Sequence, residues 1–291
     1  MKPAFRMFAL ASCLATTAAF AATPAAVVEG VQMPAWVERG GGARVPVAPG
    51  MELGSGDRVV TGANARLLVK TAEGSLVKLG ENGTMRFAEV EANRGGVFRA
   101  ALDVAEGAFR FTTSALMKAR KRDVRITVAT VTAGIRGTDL WGKSDRADRQ
   151  IVCLIEGAIE VAAAGESPVR LDQPLQFYQR DRGATAPVAF VDPAQLAEWA
   201  KETEIAVGAG ASKRGGRYRV TLARADTQEG ALAVYDQLRA AGYAASILPV
   251  MMEGKRAYLV RLTQIPSKAE AEVLAASLKG RHGVVDPKVS G

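Results

Sequence analysis

Short apolar runs separated by turn residues fill most of the first two thirds of the chain. Residues 59–62, 66–69 and 76–79 are three such runs, and glycine-containing turns lie among them. Short apolar runs bounded by turn residues are typical of strands, and glycine between two runs is typical of a tight turn. The pattern predicts an all-β domain over residues 27–190, folded as a sandwich or as a short β-solenoid.

One amphipathic helix is predicted at 192–204, where the spacing of apolar residues changes to that of a helix. Asp192 is a typical N-cap residue, Pro193 suits the first helical position, and Trp199 lies on the apolar stripe. The next stretch, 205–216, has no apolar period and is rich in small residues. We interpret the helix as the end of the first domain and 205–216 as a linker to a second domain.

The last part of the chain, 217–291, repeats itself with an offset of 40 residues. Tyr218 matches Tyr258, and Leu222 matches Leu262. Each repeat begins with an alternating strand, continues with a capped helical stripe that ends near a glycine, and finishes with a second strand. The predicted order βαββαβ is that of a ferredoxin-like fold, so the whole chain is predicted to be α+β.

The alternation in the first strand of each repeat divides the side chains between two faces of a sheet. The apolar set, which includes Val220 and Val260, is expected to pack under the helices. The opposite face then carries Arg217, Arg219, Thr221, Leu259, Arg261 and Thr263. This face is basic and hydroxylated, and it lacks the aromatic side chains that RNA-binding sheets of this topology present. It is either a binding face or an ordinary solvated surface.

The beginning of the chain has the order of a secretory signal peptide. Lys2 and Arg6 precede an uncharged apolar run, and small residues frame the predicted end of the segment 1–21. This order predicts cleavage near residue 21 and export to the periplasm of a Gram-negative bacterium. A bacterial lipobox that ends at Cys13, which would anchor a lipoprotein, is the alternative. A stable membrane span is not expected, because the run is rich in Ala and Thr and is broken by Pro24.

Composition narrows the chemistry that the chain can perform. The 291 residues include 38 Lys and Arg against 30 Asp and Glu, and the excess lies in 213–291, with 13 basic and 7 acidic residues. Without the signal peptide, Cys153 is the only cysteine, and its apolar neighbours predict a buried structural thiol. His282 is the only histidine. An intrachain disulfide, a cysteine or multi-histidine metal site and a Ser-His-Asp triad are therefore not expected, and no metal or other cofactor is predicted.

Residues 217–291 resemble a SPOR domain. The paired strand motifs at 218–222 and 258–262, together with the helix predicted at 231–241, carry the resemblance. SPOR domains are bacterial envelope modules that bind peptidoglycan and prefer glycan strands without stem peptides. The resemblance implies that glycan binds on or beside the basic sheet face. The first strand of the family usually carries Gln, an aliphatic residue and Gly, whereas residues 221–223 are Thr, Leu and Ala.

Most of the region between residues 53 and 180 resembles a FecR domain, the periplasmic part of a family of regulatory and envelope proteins. The blocks that carry the resemblance are 53–62, 73–80, 104–107, 133–138 and 154–161. The most specific block contains the motif residues Gly134, Arg136, Gly137 and Thr138. Its two glycines predict a bend around Arg136, whose guanidinium would pair with Glu156 or Asp139 or would recognise an anionic partner.

Together these patterns predict a non-enzymatic envelope protein. The SPOR-like domain would bind peptidoglycan glycan strands, and the FecR-like domain would bind another envelope protein or sense a ligand. A peptidoglycan hydrolase is one alternative, although no catalytic spacing of carboxylates is recognisable. An envelope signalling regulator is another, although no anti-sigma segment is recognisable. Nucleic-acid binding, which a pI of about 9.7 favours, is not expected of an exported chain.

Overall fold

The computed structural model describes residues 24–92, 98–113, 122–135, 137–146 and 148–291. The predicted signal peptide, the lipobox cysteine Cys13 and the motif residue Arg136 lie outside the described residues.

The elements of the first part of the chain are strands, followed by one helix. They are β1 (Ala26–Gln32), β2 (Ala35–Glu38), β3 (Val45–Pro46), β4 (Glu52–Leu53), β5 (Arg58–Thr61), β6 (Arg66–Thr71), β7 (Leu76–Leu79), β8 (Thr84–Ala92), β9 (Phe98–Thr112), β10 (Arg122–Val128), β11 (Val131–Ile135), β12 (Asp139–Asp145), β13 (Arg149–Glu156), β14 (Ile159–Ala163), β15 (Val169–Leu171), β16 (Gln176–Asp181), β17 (Ala184–Thr185), β18 (Ala189–Phe190) and α1 (Pro193–Lys201).

The elements of the second part are β19 (Ser212–Lys213), β20 (Tyr218–Ala225), α2 (Gln228–Ala240), β21 (Ser246–Met252), β22 (Lys255–Ile265), α3 (Lys268–Leu278) and β23 (Lys288–Ser290). Among the helices of the described residues, none is both long and apolar enough to span a membrane.

The first domain consists of two sheets that share the long strand β9. Sheet A contains β1, β4, β6, β7, the second half of β9, β12, β13 and β16 to β19. Sheet B contains β2, β3, β5, β8, the first half of β9, β10, β11, β14 and β15. All described pairings are antiparallel except that of β9 with β10. This arrangement fits the sandwich that the sequence offered, because a β-solenoid is built from parallel strands.

The core of the first domain lies between the two sheets. Alternate residues point inward along the strands, as in β11, where Val131, Ala133 and Ile135 are buried and the residues between them are not. Phe87 from sheet B and Phe109 from sheet A are both fully buried in this core. In β11 a period of two therefore separates the inward face from the outward face, whereas residues 150–154 of β13 are all buried because α1 covers the other side of that strand.

Helix α1 covers the outer face of sheet A. Asp192 caps the helix by accepting a hydrogen bond from the Ala194 backbone N–H at 2.8 Å. Trp199 stacks on the fully buried Trp141, with ring centroids 4.8 Å apart, and meets the edge of Phe177 at 6.2 Å. The helix thus packs on the first domain through aromatic contacts, which prefer such offset or edge-on geometries.

The second domain has the predicted βαββαβ order. Its strands form a separate antiparallel sheet, sheet C, in the order β21-β22-β20-β23. Thr227 caps α2 and Ser267 caps α3, each by accepting a hydrogen bond from the backbone N–H three residues later. Val220 and Leu262 point toward the helices and are buried. The strand order is that of a ferredoxin-like fold.

The segment 205–216, predicted as a linker, is held by both domains. Its strand β19 pairs with β1 of sheet A. Its backbone N–H groups at Gly208, Gly210 and Ala211 donate to the carboxylate of Glu270 on α3, at 2.5, 2.6 and 3.2 Å. The segment is therefore ordered by contacts that no local pattern of apolar residues encodes.

The two domains also contact each other directly. Ala35 N–H donates to the Gly242 carbonyl at 3.2 Å, and the Gln264 side chain donates to the Pro49 carbonyl at 3.0 Å. Gly242 has a φ of +85°, and a Cβ at this position would lie 2.6 Å from the ring of Trp36. Glycine is needed here both for the backbone conformation that ends α2 and for the close approach of the first domain.

Candidate functional site

The predicted binding residues lie on strands β20 and β22, which are neighbours at the centre of sheet C. Thr221 pairs with Arg261 across the two strands. Bulges at 218–220 and 221–223 locally shift the register. Outside these bulges the side chains alternate as the sequence predicts: Val220 and Leu262 face the helices, and Thr221 and Arg261 face away from them.

A row of polar side chains crosses all four strands of the sheet on the face opposite the helices. From edge to edge it contains Ser246, Arg261, Thr221 and Lys288. A neighbouring row contains Leu248, Leu259 and Arg224. We name this surface the sheet C face. It combines guanidinium, ammonium and hydroxyl groups with a small apolar patch.

The other predicted residues lie at one end of the sheet C face. Arg219 is half-buried and donates to the Gly291 carbonyl at 2.8 Å, which holds its guanidinium beside β23. Thr263 lies on β22 where the bulge near Arg219 interrupts the pairing. Arg217 precedes β20 and is exposed. The structure therefore brings five of the six predicted residues onto the sheet and leaves Arg217 at its margin.

The charged side chains in the strands of sheet C are all basic. Strand β20 contains two basic residues, β22 contains three, β23 contains one and β21 contains none. None of the four strands contains an acidic residue. The nearest carboxylates flank the strand ends, where Asp286 contacts Lys288 at 2.6 Å and Asp226 contacts Arg224 at 3.7 Å. The hydrogen bond from Lys288 lowers the pKa of Asp286. The face is thus suited to an anionic ligand that also accepts and donates hydrogen bonds through hydroxyls.

Arg261 is the central cation of the face. It forms no ion pair with a carboxylate of the described residues, and its Nε is buried without a hydrogen-bond partner there. Its backbone carbonyl accepts a hydrogen bond from the Ser246 hydroxyl at 3.4 Å. A guanidinium that no carboxylate neutralises can pair with an incoming anion without first breaking an internal ion pair.

Catalytic and metal chemistry find little support in the side chains of the described residues. No group of three His, Cys, Asp or Glu side chains is arranged to hold a metal ion in that part of the chain. Cys153 is buried between the strands of sheet A and α1, and burial raises its pKa to about 12. A thiol with such a pKa is protonated near neutral pH and is a poor nucleophile.

The motif at 133–138 in the first domain is split between surface and core. Gly134 lies inside strand β11, and only Gly137 has a left-handed φ, of +74°. The predicted bend therefore comes from Gly137 alone. Thr138 is buried, and its backbone N–H donates to the Thr113 hydroxyl at 3.1 Å.

Asp139, one of the two carboxylates that the sequence offers as a partner for Arg136, has another cationic partner. Asp139 accepts two hydrogen bonds from Arg110, at 2.7 and 2.9 Å. These bonds raise the pKa of Arg110. A bidentate pair of this kind fixes β12 to β9. The pairing of Arg136 lies outside the described residues.

Sequence reasoning missed the part of the sheet C face that comes from the edge strands. Ser246, Leu248 and Lys288 join the predicted residues only through the register of β21 and β23. Arg224 could have been found by extending the first strand, but the bulge at 221–223 reverses its face relative to simple alternation. Cross-strand register depends on distant pairing, which the spacing of residues along one strand does not contain.

Comparisons with known proteins identify both domains. The SPOR domain family matches residues 190–286, and the FecR protein family matches residues 57–160. The SPOR match begins before α1, which the structure places against sheet A of the first domain. Both are non-catalytic binding or signalling domains.

Two crystal structures of proteins described as anti-sigma factors from Parabacteroides distasonis are similar to this chain at low identity. One is 16% identical, covers 62% of this chain and 73% of its own, and has a TM-score of 0.41. The other is 14% identical, covers 68% of this chain and 96% of its own, and also has a TM-score of 0.41. No curated protein matches the sequence significantly. The family matches and the observed architecture together show that this chain combines a FecR domain with a SPOR domain, two domains associated with the bacterial cell envelope.

Proposed function

We propose that this chain is a non-enzymatic periplasmic protein that binds peptidoglycan glycan strands through the sheet C face. The observation that carries the proposal is the charge of this sheet, whose four strands together contain six basic residues and no acidic residue. The match to the SPOR family supports the ligand class. Export through the segment 1–21 would bring the chain to the compartment where this ligand lies.

The chemistry of the ligand explains the preference for glycan strands without stem peptides. Removal of a stem peptide leaves a free lactyl carboxylate on each muramic acid. Arg219 and Arg261 can bind such carboxylates through charge-assisted hydrogen bonds, which are stronger than bonds between neutral groups. Strands that retain stem peptides carry an amide at this position and lack the charge. The proposed site therefore favours bare strands.

The uncharged part of the sheet C face suits the sugar rings. Leu248 and Leu259 form an apolar patch, on which the carbon face of a sugar can pack. Ser246 and Thr221 supply hydroxyls on either side of Arg261. Thr221 replaces the longer amide that the family usually has in the first strand, and we propose that the hydroxyl keeps a hydrogen bond to the glycan.

We propose that the FecR domain is the module that binds another envelope protein or senses a ligand. The rigid contacts between the domains, such as those of Gly242 and Glu270, would then hold this module at a fixed position relative to the glycan.

Co-sedimentation with purified peptidoglycan sacculi tests the proposed function. The full exported chain, residues 22–291, is mixed with intact sacculi and with sacculi whose stem peptides an amidase has removed. We expect more protein in the pellet with the amidase-treated sacculi. In the double variant Arg219→Gln and Arg261→Gln, we expect the affinity to fall by about tenfold or more, equivalent to at least ~1.4 kcal/mol.

A matched control carries Lys268→Gln and Lys279→Gln, which remove the same charge from exposed positions at the start of α3 and directly after its end. This control should bind like the unchanged chain. Equal losses in both double variants would show that net charge alone drives the binding and would contradict a site on the sheet C face. Release of soluble fragments from the sacculi by the purified chain would contradict the non-enzymatic assignment.

A further inference from the structure

A cavity of about 440 Å³ lies where the two domains meet. The first domain contributes Gln32 at the end of β1, Met33 in the turn to β2, and Asn64 in the turn before β6. The second domain contributes Tyr243 after α2 and Leu274 on α3. Small-molecule sites in proteins have volumes of about 300–1,000 Å³ and often lie between domains. The cavity has the size and position of such a site, and no residue of the sheet C face lines it.

Arg281 and His282 are the charged or titratable bases of this cavity. Both lie in the turn that follows α3, and none of the described residues that line the cavity is acidic. The side chain of Arg281 forms no ion pair with a carboxylate in the described part of the chain, and its hydrogen bond there is a long one, of 3.5 Å, to the Ser277 carbonyl. Its guanidinium can therefore pair with an anion that enters the cavity without first breaking an internal ion pair.

Tyr243 supplies a hydrogen-bond donor beside this guanidinium. Its side chain is 8% exposed and lines the cavity, and its hydroxyl has no hydrogen-bond partner among the described residues. Burial raises the pKa of Tyr243 while the charge of Arg281 acts against the rise, so the phenol is protonated at neutral pH and interacts with the guanidinium. A buried hydroxyl normally has a partner, and an oxygen atom of a bound ligand would provide one.

The wall that comes from the first domain adds polar groups without charge. The Gln32 side chain donates to the Asn64 carbonyl at 2.5 Å, which fixes its amide at the edge of the cavity. Glu81 accepts a hydrogen bond from the Asn64 backbone N–H at 2.7 Å, but it lies 3.9 Å from Arg66 and does not line the cavity. The cavity therefore combines one guanidinium with amide and phenol groups that bond uncharged oxygens and nitrogens.

The less polar part of the lining suits a small ring. The rings of Tyr243 and His282 have centroids 5.8 Å apart and planes inclined at 46°, and Met33 and Leu274 complete this part of the wall. One guanidinium balances one carboxylate, whereas a phosphate monoester carries almost two charges at neutral pH. Amide and phenol groups match the hydroxyl and acetamido groups of a sugar. The lining thus fits a sugar that carries a single carboxylate.

We propose that this interdomain cavity binds a monosaccharide-sized sugar acid, with its carboxylate on Arg281 and one of its oxygen atoms on the Tyr243 hydroxyl. N-Acetylmuramic acid is the probe, because its lactyl group carries such a carboxylate; this choice rests on the proposed function, which places the chain on peptidoglycan. The site gives a location to the ligand-sensing role proposed for the FecR domain. A ligand that contacts both walls would stabilise the contact between the two domains.

Isothermal titration calorimetry of residues 22–291 with two sugars tests the charge that the cavity selects. N-Acetylmuramic acid and N-acetylglucosamine differ in the lactyl group, which only the first sugar has. We expect N-acetylmuramic acid to bind at one site, and N-acetylglucosamine to bind more weakly by about tenfold or more. A lack of binding of N-acetylmuramic acid, or equal affinities for the two sugars, overturns the proposal.

Variants of the cavity test where the sugar binds. Arg281→Gln should lower the affinity for N-acetylmuramic acid by about tenfold or more, and Tyr243→Phe should lower it by about threefold, because the ring is kept and the donor is lost. Lys279→Gln is the matched control, since it removes the same charge from an exposed position directly after α3 that does not line the cavity. Equal losses in Arg281→Gln and Lys279→Gln overturn the proposal.

Arg261→Gln separates this proposal from glycan binding by the sheet C face. This variant should bind N-acetylmuramic acid like the unchanged chain, and Arg281→Gln should still sediment with sacculi. If Arg261→Gln abolishes binding of the monosaccharide, the sugar binds on the sheet C face and the cavity proposal is overturned. If no variant or unchanged chain binds sacculi but Arg281→Gln alone loses the monosaccharide, the proposed function fails and the cavity proposal is supported.

Discussion

The carboxylate of Glu270 on α3 holds the segment 205–216, which lies between the two domains, and we name this contact the joint. Glu270 is 7% exposed and accepts hydrogen bonds from the backbone N–H groups of Gly208, Gly210 and Ala211. Gly210 and Ala211 are themselves buried. In Glu270→Ala these two donors would lose their acceptor in a place that water reaches poorly.

The expected magnitude follows from the number of buried donors. A hydrogen bond to a charged group contributes about 1.5–3 kcal/mol, and a buried donor without a partner costs about 1–3 kcal/mol. Two buried donors and one exposed donor therefore predict a loss of about 2–4 kcal/mol, since some water will enter the space left by the side chain. The loss of stability should be concentrated at residues 208–211 rather than spread over the chain.

Hydrogen–deuterium exchange read by mass spectrometry measures this local loss. In the unchanged chain, the amides of 208–211 should be protected. In Glu270→Ala their exchange should accelerate by about two orders of magnitude, the factor that corresponds to ~3 kcal/mol. Glu272→Ala is the control on the same helix, because the Glu272 side chain is 58% exposed and its carboxylate lies 3.5 Å from the Lys268 ammonium group.

Two results would refute this reasoning. If the amides of 208–211 exchange freely in the unchanged chain, the carboxylate does not hold the segment. If Glu270→Ala and Glu272→Ala behave alike, the three hydrogen bonds do not stabilise the joint.

Three further predictions concern the first domain. Trp199→Ala removes the stack on Trp141 and should lower the free energy of unfolding by about 1–3 kcal/mol, measured by denaturant titration; an unchanged midpoint would show that α1 does not stabilise the sandwich. The Cys153 thiol, whose pKa burial raises to about 12, should not react with a disulfide reagent near pH 8 until the chain is unfolded. The hydrogen bond from Arg44 lowers the pKa of Glu38, so its contribution to stability is present above the unfolded value of about 4.3 and is lost as the pH falls through the lower folded value. Urea titrations should therefore show a weaker loss of stability on acidification in Glu38→Gln than in the unchanged chain.

Local patterns in the sequence were sufficient to predict the order of helices and strands in the second domain. The caps Thr227 and Ser267, the stripes of the two helices and the alternation of the central strands are all features of neighbouring residues. They predict the order of elements and the face on which Arg219 and Arg261 lie. The bulges in β20 are the exception, because an extra residue in one strand can be recognised only from its pairing with the neighbouring strand.

The first domain was predictable in class but not in topology. Apolar runs and glycine turns predicted strands, yet they could not assign β10 and β11 to sheet B or β12 and β13 to sheet A. Such pairings join strands that are far apart in the chain, as when β1 pairs with β6 and β19.

The ordering of the segment 205–216 was also beyond the reach of the sequence pattern. Its small residues are typical of a flexible connection. The structure holds it by β19 and by one side chain, Glu270, that lies about 60 residues later in the chain. The presence of a glutamate in a predicted helix does not indicate which backbone N–H groups its carboxylate will bind.

The measurement that tests the central claim most directly is a nuclear magnetic resonance titration of the isotope-labelled chain, residues 22–291, with soluble glycan strands that lack stem peptides. The account predicts that the largest chemical-shift changes occur at Ser246, Thr221, Arg261 and Lys288, and that the resonances of α2 and α3 on the other side of the sheet change least. Saturable shifts confined to the helices or to the FecR domain, or an absence of shifts throughout, would contradict glycan binding by the sheet C face.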